Sequence, residues 1–272
     1  MPEGRVGSTL LMRLIASSSI VAMDRRYPYG EYRYLSYCAK AAAFMSAPWR
    51  PDVDPGVTTL FFGEPETFGP LPFDPASLDR RELGALLLRH LWEAFGASII
   101  AKDASVRLYA EKLAVAAGPL IEAGIPLRII DCIRDPRDVL ASIRAFTAKT
   151  GVDGFGSRDS ESEADYLRRY VERFGEKLDE MTNTPEGVDR VVVRYEDIVR
   201  DLPAIAASLG DWLGLELDPS VAERSSEENP EHLTSGSVAD SVGRWHRDLK
   251  ADDAEYVWTA LGSKLVAHGY SE

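Results

Sequence analysis

At 272 residues, with 45% hydrophobic and 28% charged side chains, the chain is long enough to bury a large core, and we expect one domain over residues 1–272. Its formal net charge of −13 argues against general nucleic-acid binding, because that function needs a dense basic surface. The apolar runs fall short of the roughly 18 residues of a membrane helix and no secretory signal is recognisable, so we expect a cytoplasmic protein without a membrane-spanning segment.

Helices and strands are predicted to alternate along the chain. Apolar residues at helical spacing, small residues at helix starts and terminal prolines predict helices over 10–15, 31–45, 81–95, 108–117, 139–146, 163–181, 196–213 and 253–265. The helix over 196–213 is expected to be interrupted near Pro203. Short runs of Ile, Leu and Val predict strands over 98–101, 126–133 and 191–193. Strands separated by helices imply an α/β fold, with a parallel sheet covered by helices on both faces.

The first motif with chemical meaning is the glycine-bearing turn Gly4-Arg5-Val6-Gly7-Ser8-Thr9. Consecutive backbone N–H groups at such a turn, followed by a helix N-terminus, present converging donors and a partial positive charge to an anion. The turn is not a Walker A motif, because Ser8 stands where that motif requires a lysine. The pattern therefore favours an anion site and disfavours ordinary ATP hydrolysis, although a simple capped helix would explain it equally well.

The second motif is the charged turn Arg134-Asp135-Pro136-Arg137-Asp138, which directly follows the predicted strand 126–133. Arg134 and the helix residue Ser142 could reach one phosphate from two sides. In doubly wound sheets, ligands gather beyond the carboxyl ends of the strands. A surface cluster of Asp–Arg ion pairs would also explain the turn, but it explains Ser142 less well.

Together these two motifs resemble those of the sulfotransferase superfamily, whose donor is 3′-phosphoadenosine 5′-phosphosulfate (PAPS). In that family the first is the 5′-phosphosulfate loop and the second is the 3′-phosphate element, whose serine stands eight residues after its arginine, as 142 − 134 gives here. Two later segments, Tyr195-Glu196-Asp197 and Gly243-Arg244-Trp245, resemble the family's Tyr-Glu-Asp element and its C-terminal Gly-x-Trp region. The four segments follow the family's order, and the resemblance is nearest to the bacterial carbohydrate and tyrosyl branches.

The resemblance implies a P-loop-NTPase-like fold in which an apolar strand precedes the phosphosulfate loop. Only Met1-Pro2-Glu3 stand before Gly4 here, so the first strand is expected to be truncated, unless the true start lies upstream or the sheet is completed differently. The implied activity is transfer of a sulfuryl group from PAPS to a hydroxyl or amine acceptor. The implied product is adenosine 3′,5′-bisphosphate, and no metal is expected.

The resemblance also implies which residues hold the donor. The 5′-phosphosulfate would be held by the loop residues Arg5, Gly7, Ser8 and Thr9, and the 3′-phosphate by Arg134 and Ser142. Arg5 would in addition stabilise charge on the bridging oxygen as the sulfuryl group leaves, which makes it a catalytic candidate. Tyr195 would lie near the nucleotide. Arg244 could close over the 3′-phosphate, although a surface arginine packed on Trp245 would explain it nearly as well.

The general base is less well defined, because a hydroxyl acceptor needs a base within hydrogen-bond reach and spacing alone does not establish reach. In the branches that use a carboxylate, the base follows the first helix. Asp24 is nearest to that position, and we take it as the first candidate. Glu31, Glu64 and His90 are the alternatives.

A catalytic lysine is suggested by Ile99-Ile100-Ala101-Lys102-Asp103. This segment resembles the strand-end lysine that assists the transfer in the carbohydrate and tyrosyl branches. Ala104 stands where those branches have proline. A simple salt-bridged lysine would explain Lys102 equally well.

Two other functions are consistent with parts of the pattern. A P-loop-like small-molecule or nucleotide kinase would need magnesium ligands and a phosphate-clamping lysine in the loop. A catalytically inactive nucleotide-binding module would bind without turnover. The acceptor is expected to be a small molecule, a sugar or a lipid, in a site shaped by the proline-rich segment 50–75 and the loop 151–162, since long loops are often functional.

Overall fold

The computed structural model describes the chain in seven ranges, 4–26, 28–46, 79–113, 115–151, 161–183, 187–220 and 234–272. The candidate base Glu64, the proline-rich segment and most of the loop 151–162 lie outside the described residues, as do the residues before Gly4. The chain divides into two compact units, the first made of Met1–Tyr32, Ser105–Lys112 and Arg128–Glu272 and the second of Arg33–Ala104 and Leu113–Leu127. The single domain over residues 1–272 stays a prediction.

The fold is mixed α/β, with short parallel strands and many helices. The helices are α1 (Ser8–Ile15), α2 (Tyr34–Ser46), α3 (Arg80–Lys102), α4 (Gly118–Glu122), α5 (Pro136–Thr150), α6 (Glu163–Thr182), α7 (Tyr195–Arg200), α8 (Leu202–Leu213), α9 (Trp245–Asp248) and α10 (Ala251–Val266). The strands are β1 (Val21–Ala22), β2 (Leu108–Tyr109), β3 (Arg128–Ile133) and β4 (Asp189–Arg194).

The described strands form two parallel pairs, both in the first unit. Strand β1 pairs with β2, and Val21 lies opposite Leu108. Strand β3 pairs with β4 over six positions, from Arg128 opposite Asp189 to Ile133 opposite Arg194. The predicted strands 126–133 and 191–193 are confirmed, as is their parallel direction, because β-branched and apolar residues suit a covered sheet.

Two secondary-structure predictions are wrong. Residues 98–101 form the last turns of α3, not a strand, since a short apolar run fits a buried strand and a helix alike and no helix breaker precedes Asp103. Residues 108–117 do not form one helix. Leu108 and Tyr109 instead pair with β1, and the chain then runs without regular structure to α4.

Helix starts follow the local sequence closely. The Asp135 side chain accepts a hydrogen bond from Arg137 N, and Pro136 occupies the first turn of α5, where its missing N–H costs nothing. Asp201 caps α8 in the same way, with Pro203 in the first turn. The predicted interruption of helix 196–213 near Pro203 is therefore confirmed as a boundary between α7 and α8.

The hydrophobic core of the first unit lies between β3 and the helices that cover it. Leu14 of α1, Val139 and Leu140 of α5, and Val257 and Leu265 of α10 are each 0% exposed. Fully burying a side chain of this size contributes about 1.5–3 kcal/mol. Helix α6 adds an apolar stripe at helical spacing, made of Leu167, Tyr170, Val171, Phe174, Leu178 and Met181. This core fixes the C-terminal end of β3, where the second motif begins.

The second unit contains α2, α3 and α4. The ring of Tyr34 stacks on Phe95 with centroids 3.9 Å apart, and Arg81 pairs with Glu122. By length and composition, residues 81–102 of α3 could cross a membrane, which was not expected from the sequence. Only 6% of this apolar window is buried, so burial as a core helix does not account for its composition. A single such helix is weak evidence for a membrane span, because Arg89, His90 and Glu93 would be costly inside a bilayer.

Candidate functional site

The glycine-bearing turn lies at the N-terminus of α1 as predicted. Gly7 is the N-cap residue with a φ of 94°, and no described side chain caps the helix there. The ring of Tyr195 lies so close that a Cβ added to Gly7 would be 2.3 Å from its Cδ2 atom. Glycine is therefore required for both backbone conformation and space. The first-turn amides carry the partial positive charge of a helix N-terminus.

Two contacts fix this turn against the end of β3. The Cys132 thiol donates to the Val6 carbonyl oxygen at 2.9 Å, and Arg134 Nη1 donates to the Arg5 carbonyl oxygen at 3.1 Å. Burial raises the pKa of the Cys132 thiol to about 12, so the group stays protonated and remains a donor. The two predicted motifs are therefore adjacent in space.

Four side chains meet in what we call the Thr234 cluster, which consists of Arg5, Ser142, Thr234 and Arg244. The Thr234 hydroxyl accepts from Arg5 Nη2 at 3.1 Å and from Arg244 Nη1 at 2.8 Å. Arg5 Nε donates to Ser142 Oγ at 3.1 Å, and the two hydroxyl oxygens lie 3.2 Å apart. Two guanidinium groups thus converge on neutral hydroxyls, an arrangement that suits a phosphate.

Arg134 lies beside this cluster with its charge buried. Its side chain donates to the backbone oxygens of Arg5 and Ser241 and stacks over the Tyr195 ring, 4.6 Å from the centroid. Arg134 is only 4% exposed, and among the described residues no carboxylate lies within ion-pair distance of it and its Nε atom has no hydrogen-bond partner. A buried charge without a direct ion pair costs free energy, although the charge of Arg134 also interacts with the carboxylate of Asp138. An anion bound at this position would offset that cost.

The C-terminal part of the site is held by Asp138. One carboxylate oxygen accepts from Gly243 N at 2.7 Å and the other from Trp245 N at 2.9 Å. Burial raises the pKa of Asp138, while these two backbone bonds act in the opposite direction. Arg244, between the two donors, is 4% exposed and pairs with Asp248. Arg244 is therefore a buried member of the Thr234 cluster, whereas the alternative interpretation had placed it on the surface.

The ion-pair interpretation of the charged turn applies to Arg137. Its guanidinium binds both oxygens of Asp135 and lies over the rings of Trp245 and Trp258, at 3.9 and 4.8 Å from their centroids. Because its guanidinium is occupied by Asp135 and the two tryptophan rings, Arg137 stabilises the turn and is not placed to bind a ligand.

A second group of the site is the pair of Lys112 and Glu31. Lys112 Nζ donates to Glu31 Oε1 at 2.9 Å, to Thr9 Oγ1 at 3.0 Å and to the Pro28 carbonyl oxygen at 2.8 Å. Lys112 N also donates to the Gly30 carbonyl oxygen, which joins the segment after β2 to the loop after β1. A cation and a carboxylate are thus held beside the first turn of α1.

The residues predicted as catalytic occupy different surroundings. Asp24 Oδ1 accepts from the backbone and side chain of Arg26, and its carbonyl oxygen accepts from Gly30 N, so Asp24 organises the loop before Glu31. Lys102 is the exposed last residue of α3, in the second unit, and not a strand end. His90 lies on the same helix, 3.4 Å from Glu93, with 66% of its side chain exposed.

Residues 3–219 of the chain match the model of the family described as Sulfotransferase family. The chain belongs to this family. The match confirms the resemblance based on the motifs, while the branch within the superfamily stays a prediction. No curated protein and no solved structure gave a match to the chain.

Within this sulfotransferase chain, the described geometry brings most predicted donor residues together. Arg5, Ser142 and Arg244 meet at Thr234, and Arg134 and Tyr195 adjoin them. Sequence reasoning missed Thr234, which stands in a polar segment without periodicity. It also missed Lys112, because the segment after the short strand β2 was interpreted as helix. Leu108 pairs in parallel with β1, so a strand ends shortly before Lys112. This pairing is visible only in the folded structure, and the sequence alone did not indicate it.

Proposed function

We propose that this chain is a PAPS-dependent sulfotransferase that acts on a hydroxyl or amine acceptor and releases adenosine 3′,5′-bisphosphate. The observation that carries the proposal is the buried guanidinium of Arg134, which has no carboxylate within ion-pair distance among the described residues and adjoins a cluster of arginines and hydroxyls. Such a site fits a phosphate monoester that is bound away from the reacting centre.

The donor set supports two separate anion positions. Arg134, Ser142, Thr234 and Arg244 would hold the 3′-phosphate. The amides of Gly7, Ser8 and Thr9 would hold the 5′-phosphosulfate at the N-terminus of α1. Arg5, whose guanidinium contacts Ser142 and Thr234, would reach the 5′-phosphosulfate from the side of the cluster. The contact of Tyr195 with both Gly7 and Arg134 supports its position between the two sites, near the nucleoside.

When bound, PAPS supplies a sulfuryl group on a phosphosulfate anhydride, and the adenosine bisphosphate is the leaving group. Glu31 is the base that the contacts favour, because it is held beside Thr9 of the loop through Lys112. Its carboxylate would take the proton of the acceptor hydroxyl. Lys112 would keep a positive charge where the leaving oxygen becomes more negative. Asp24 is the second candidate base, since it shares the same loop.

Three further inferences belong to this proposal. The parallel pair β3 and β4, with the anion cluster after β3, supports a P-loop-like arrangement of the first unit. A cytoplasmic location, which was expected from the sequence, is part of the same proposal. The acceptor is a small molecule, a sugar or a lipid, and the reaction uses no metal and no nucleic acid.

The proposal is tested by isothermal titration of the purified chain with adenosine 3′,5′-bisphosphate and with ATP. We expect the bisphosphate to bind and the Arg134→Ala variant to lose about 100-fold in affinity, because several charge-assisted bonds are removed together. Arg200→Ala is the matched control, since Arg200 is 74% exposed in its side chain. Equal or tighter binding of ATP would favour a kinase.

Turnover separates an enzyme from a binding module. We would measure bisphosphate release from PAPS in the presence of pooled sugars, lipids, phenols and tyrosyl peptides. Acceptor-dependent release by the wild-type chain supports the transferase, whereas tight bisphosphate binding without release from any pool would identify an inactive nucleotide-binding module.

A further inference from the structure

Glu196 joins three segments of the first unit. It follows Tyr195 at the start of α7, and one of its carboxylate oxygens accepts a hydrogen bond from Asp135 N at 2.9 Å. The other oxygen accepts from the Tyr270 hydroxyl at 2.8 Å. A single carboxylate therefore links the end of β4, the turn after Arg134 and the segment that follows α10.

The bond to Asp135 N acts directly on the backbone of Arg134. The Asp135 side chain already caps α5 by accepting from Arg137 N, so the N–H of Asp135 itself needs another acceptor. The peptide group that contains this N–H also contains the Arg134 carbonyl and is planar. A charge-assisted bond to Glu196 thus fixes the plane from which the Arg134 side chain extends.

Tyr270 holds the Glu196 carboxylate in turn. It is 7% exposed, and the guanidinium of Arg194 lies 4.4 Å from its ring centroid. Burial and the nearby charge of Glu196 raise the pKa of Tyr270, so its hydroxyl remains a donor. The next residue, Ser271, accepts at its carbonyl oxygen from Arg137 Nη2 at 2.9 Å. Both residues lie beyond the family match, which ends at residue 219.

We propose that Glu196 and Tyr270 are positioning residues for the 3′-phosphate, acting through the Asp135 amide on Arg134. Neither side chain contacts the phosphate. The segment after α10 is thereby part of the donor site, and it sets the preference for a nucleotide with a 3′-phosphate over one without it. This inference rests on the proposed PAPS site.

The test compares Tyr270→Phe with Tyr256→Phe, since Tyr256 is 43% exposed on α10. Dissociation constants are measured at 20 °C for adenosine 3′,5′-bisphosphate by titration and for adenosine 5′-monophosphate by competition to millimolar concentration. We expect Tyr270→Phe to weaken the bisphosphate about 3- to 10-fold, as loss of one hydrogen bond would, and the monophosphate less than about 2-fold. Tyr256→Phe should match the wild type for both nucleotides.

A second variant, Glu196→Gln, keeps an acceptor oxygen and removes the charge. We expect a selective loss for the bisphosphate, and we expect the double variant with Tyr270→Phe to be no weaker than Glu196→Gln alone, because both changes act through one bond. Equal loss for both nucleotides, or additive losses, would contradict the positioning role. An unchanged bisphosphate affinity in Tyr270→Phe overturns this inference alone, whereas a wild-type chain that binds no bisphosphate overturns the proposed function as well.

Discussion

The Thr234 cluster and the Lys112–Glu31 pair differ in how the chain builds them. The cluster collects arginines and hydroxyls around the end of β3, where Arg134 and Arg244 are each 4% exposed. The pair brings one cation and one carboxylate into direct contact, 2.9 Å apart, beside the first turn of α1. The Thr234 cluster suits the binding of an anion. The Lys112–Glu31 pair suits proton transfer and the stabilisation of developing negative charge.

The affinity for the bisphosphate and the rate of turnover should therefore depend on different residues. Variants of the pair are expected to slow the reaction at nearly unchanged bisphosphate affinity. Variants of the cluster and of its supports are expected to weaken binding or folding first.

The largest effect is expected for Glu31→Gln. Removing a general base lowers turnover by about 10²- to 10⁴-fold, while the dissociation constant of the bisphosphate should change less than about 2-fold, because Glu31 does not hold the nucleotide. The initial rate of bisphosphate release with an active acceptor pool measures the first, and titration measures the second. Asp24→Asn is the control. If Asp24→Asn is the slower variant, the base is Asp24, as first predicted from the sequence.

The next effect concerns which lysine assists the transfer. Lys112→Ala should lower turnover about 100-fold, because it removes a charge beside the leaving oxygen. Lys102→Ala should stay close to the wild type, since Lys102 is exposed at the end of α3. The same rate assay compares the two variants. A large loss in Lys102→Ala with normal Lys112→Ala would reverse the assignment.

A smaller effect, on stability, is expected for Gly7→Ala. The new methyl group would lie 2.3 Å from the Tyr195 ring at a φ of 94°, and overpacking with strain costs about 3 kcal/mol in the free energy of unfolding. Gly151→Ala also has a positive φ, of 66°, and no atom of the described residues lies within 4 Å of the new methyl group, so it should cost about 1 kcal/mol. Urea unfolding of both variants gives the comparison, and equal costs would refute the close contact with Tyr195.

The smallest effect is expected for Asp138→Asn, which keeps one acceptor for the Gly243 and Trp245 amides and loses the other. Its free energy of unfolding at pH 7 should fall by about 1–2 kcal/mol, with exposed Asp211→Asn as the control. Because burial raises the pKa of Asp138, the folded chain binds a proton more tightly than the unfolded chain. The wild-type stability should therefore decrease, relative to Asp138→Asn, as the pH rises from the ordinary value of 3.8 through the raised one. A flat difference between the two unfolding curves over that interval would contradict the burial of this carboxylate.

The features that could be predicted from the sequence are those formed by residues close together along the chain. Local patterns predicted the strands near Ile130 and Val192, the start of α1 at Ser8 and the turn after Arg134. Hydrophobic periodicity, capping residues and prolines each act over only a few positions of the chain. The segment 98–101 was misassigned, since a short apolar run suits a strand or a helix. Its strand interpretation had also suggested Lys102 as the catalytic lysine.

The remaining parts of the site depend on contacts between distant segments. Thr234 reaches Arg5 across 229 positions, and Lys112 reaches Thr9 across 103. No local pattern specifies such a contact, because it is set by strand pairing and by the packing of the core. The same reason explains why Tyr270 was not predicted to act on the turn after Arg134.

The most direct test of the proposed nucleotide site is a crystal structure of the chain with adenosine 3′,5′-bisphosphate. We expect the 3′-phosphate to be bound by Arg134, Ser142 and Arg244 beside Thr234, and the 5′-phosphate to lie against the amides of Ser8 and Thr9. A bisphosphate bound elsewhere, or bound with its 3′-phosphate away from Arg134, would contradict the assignment of the Thr234 cluster as the nucleotide site.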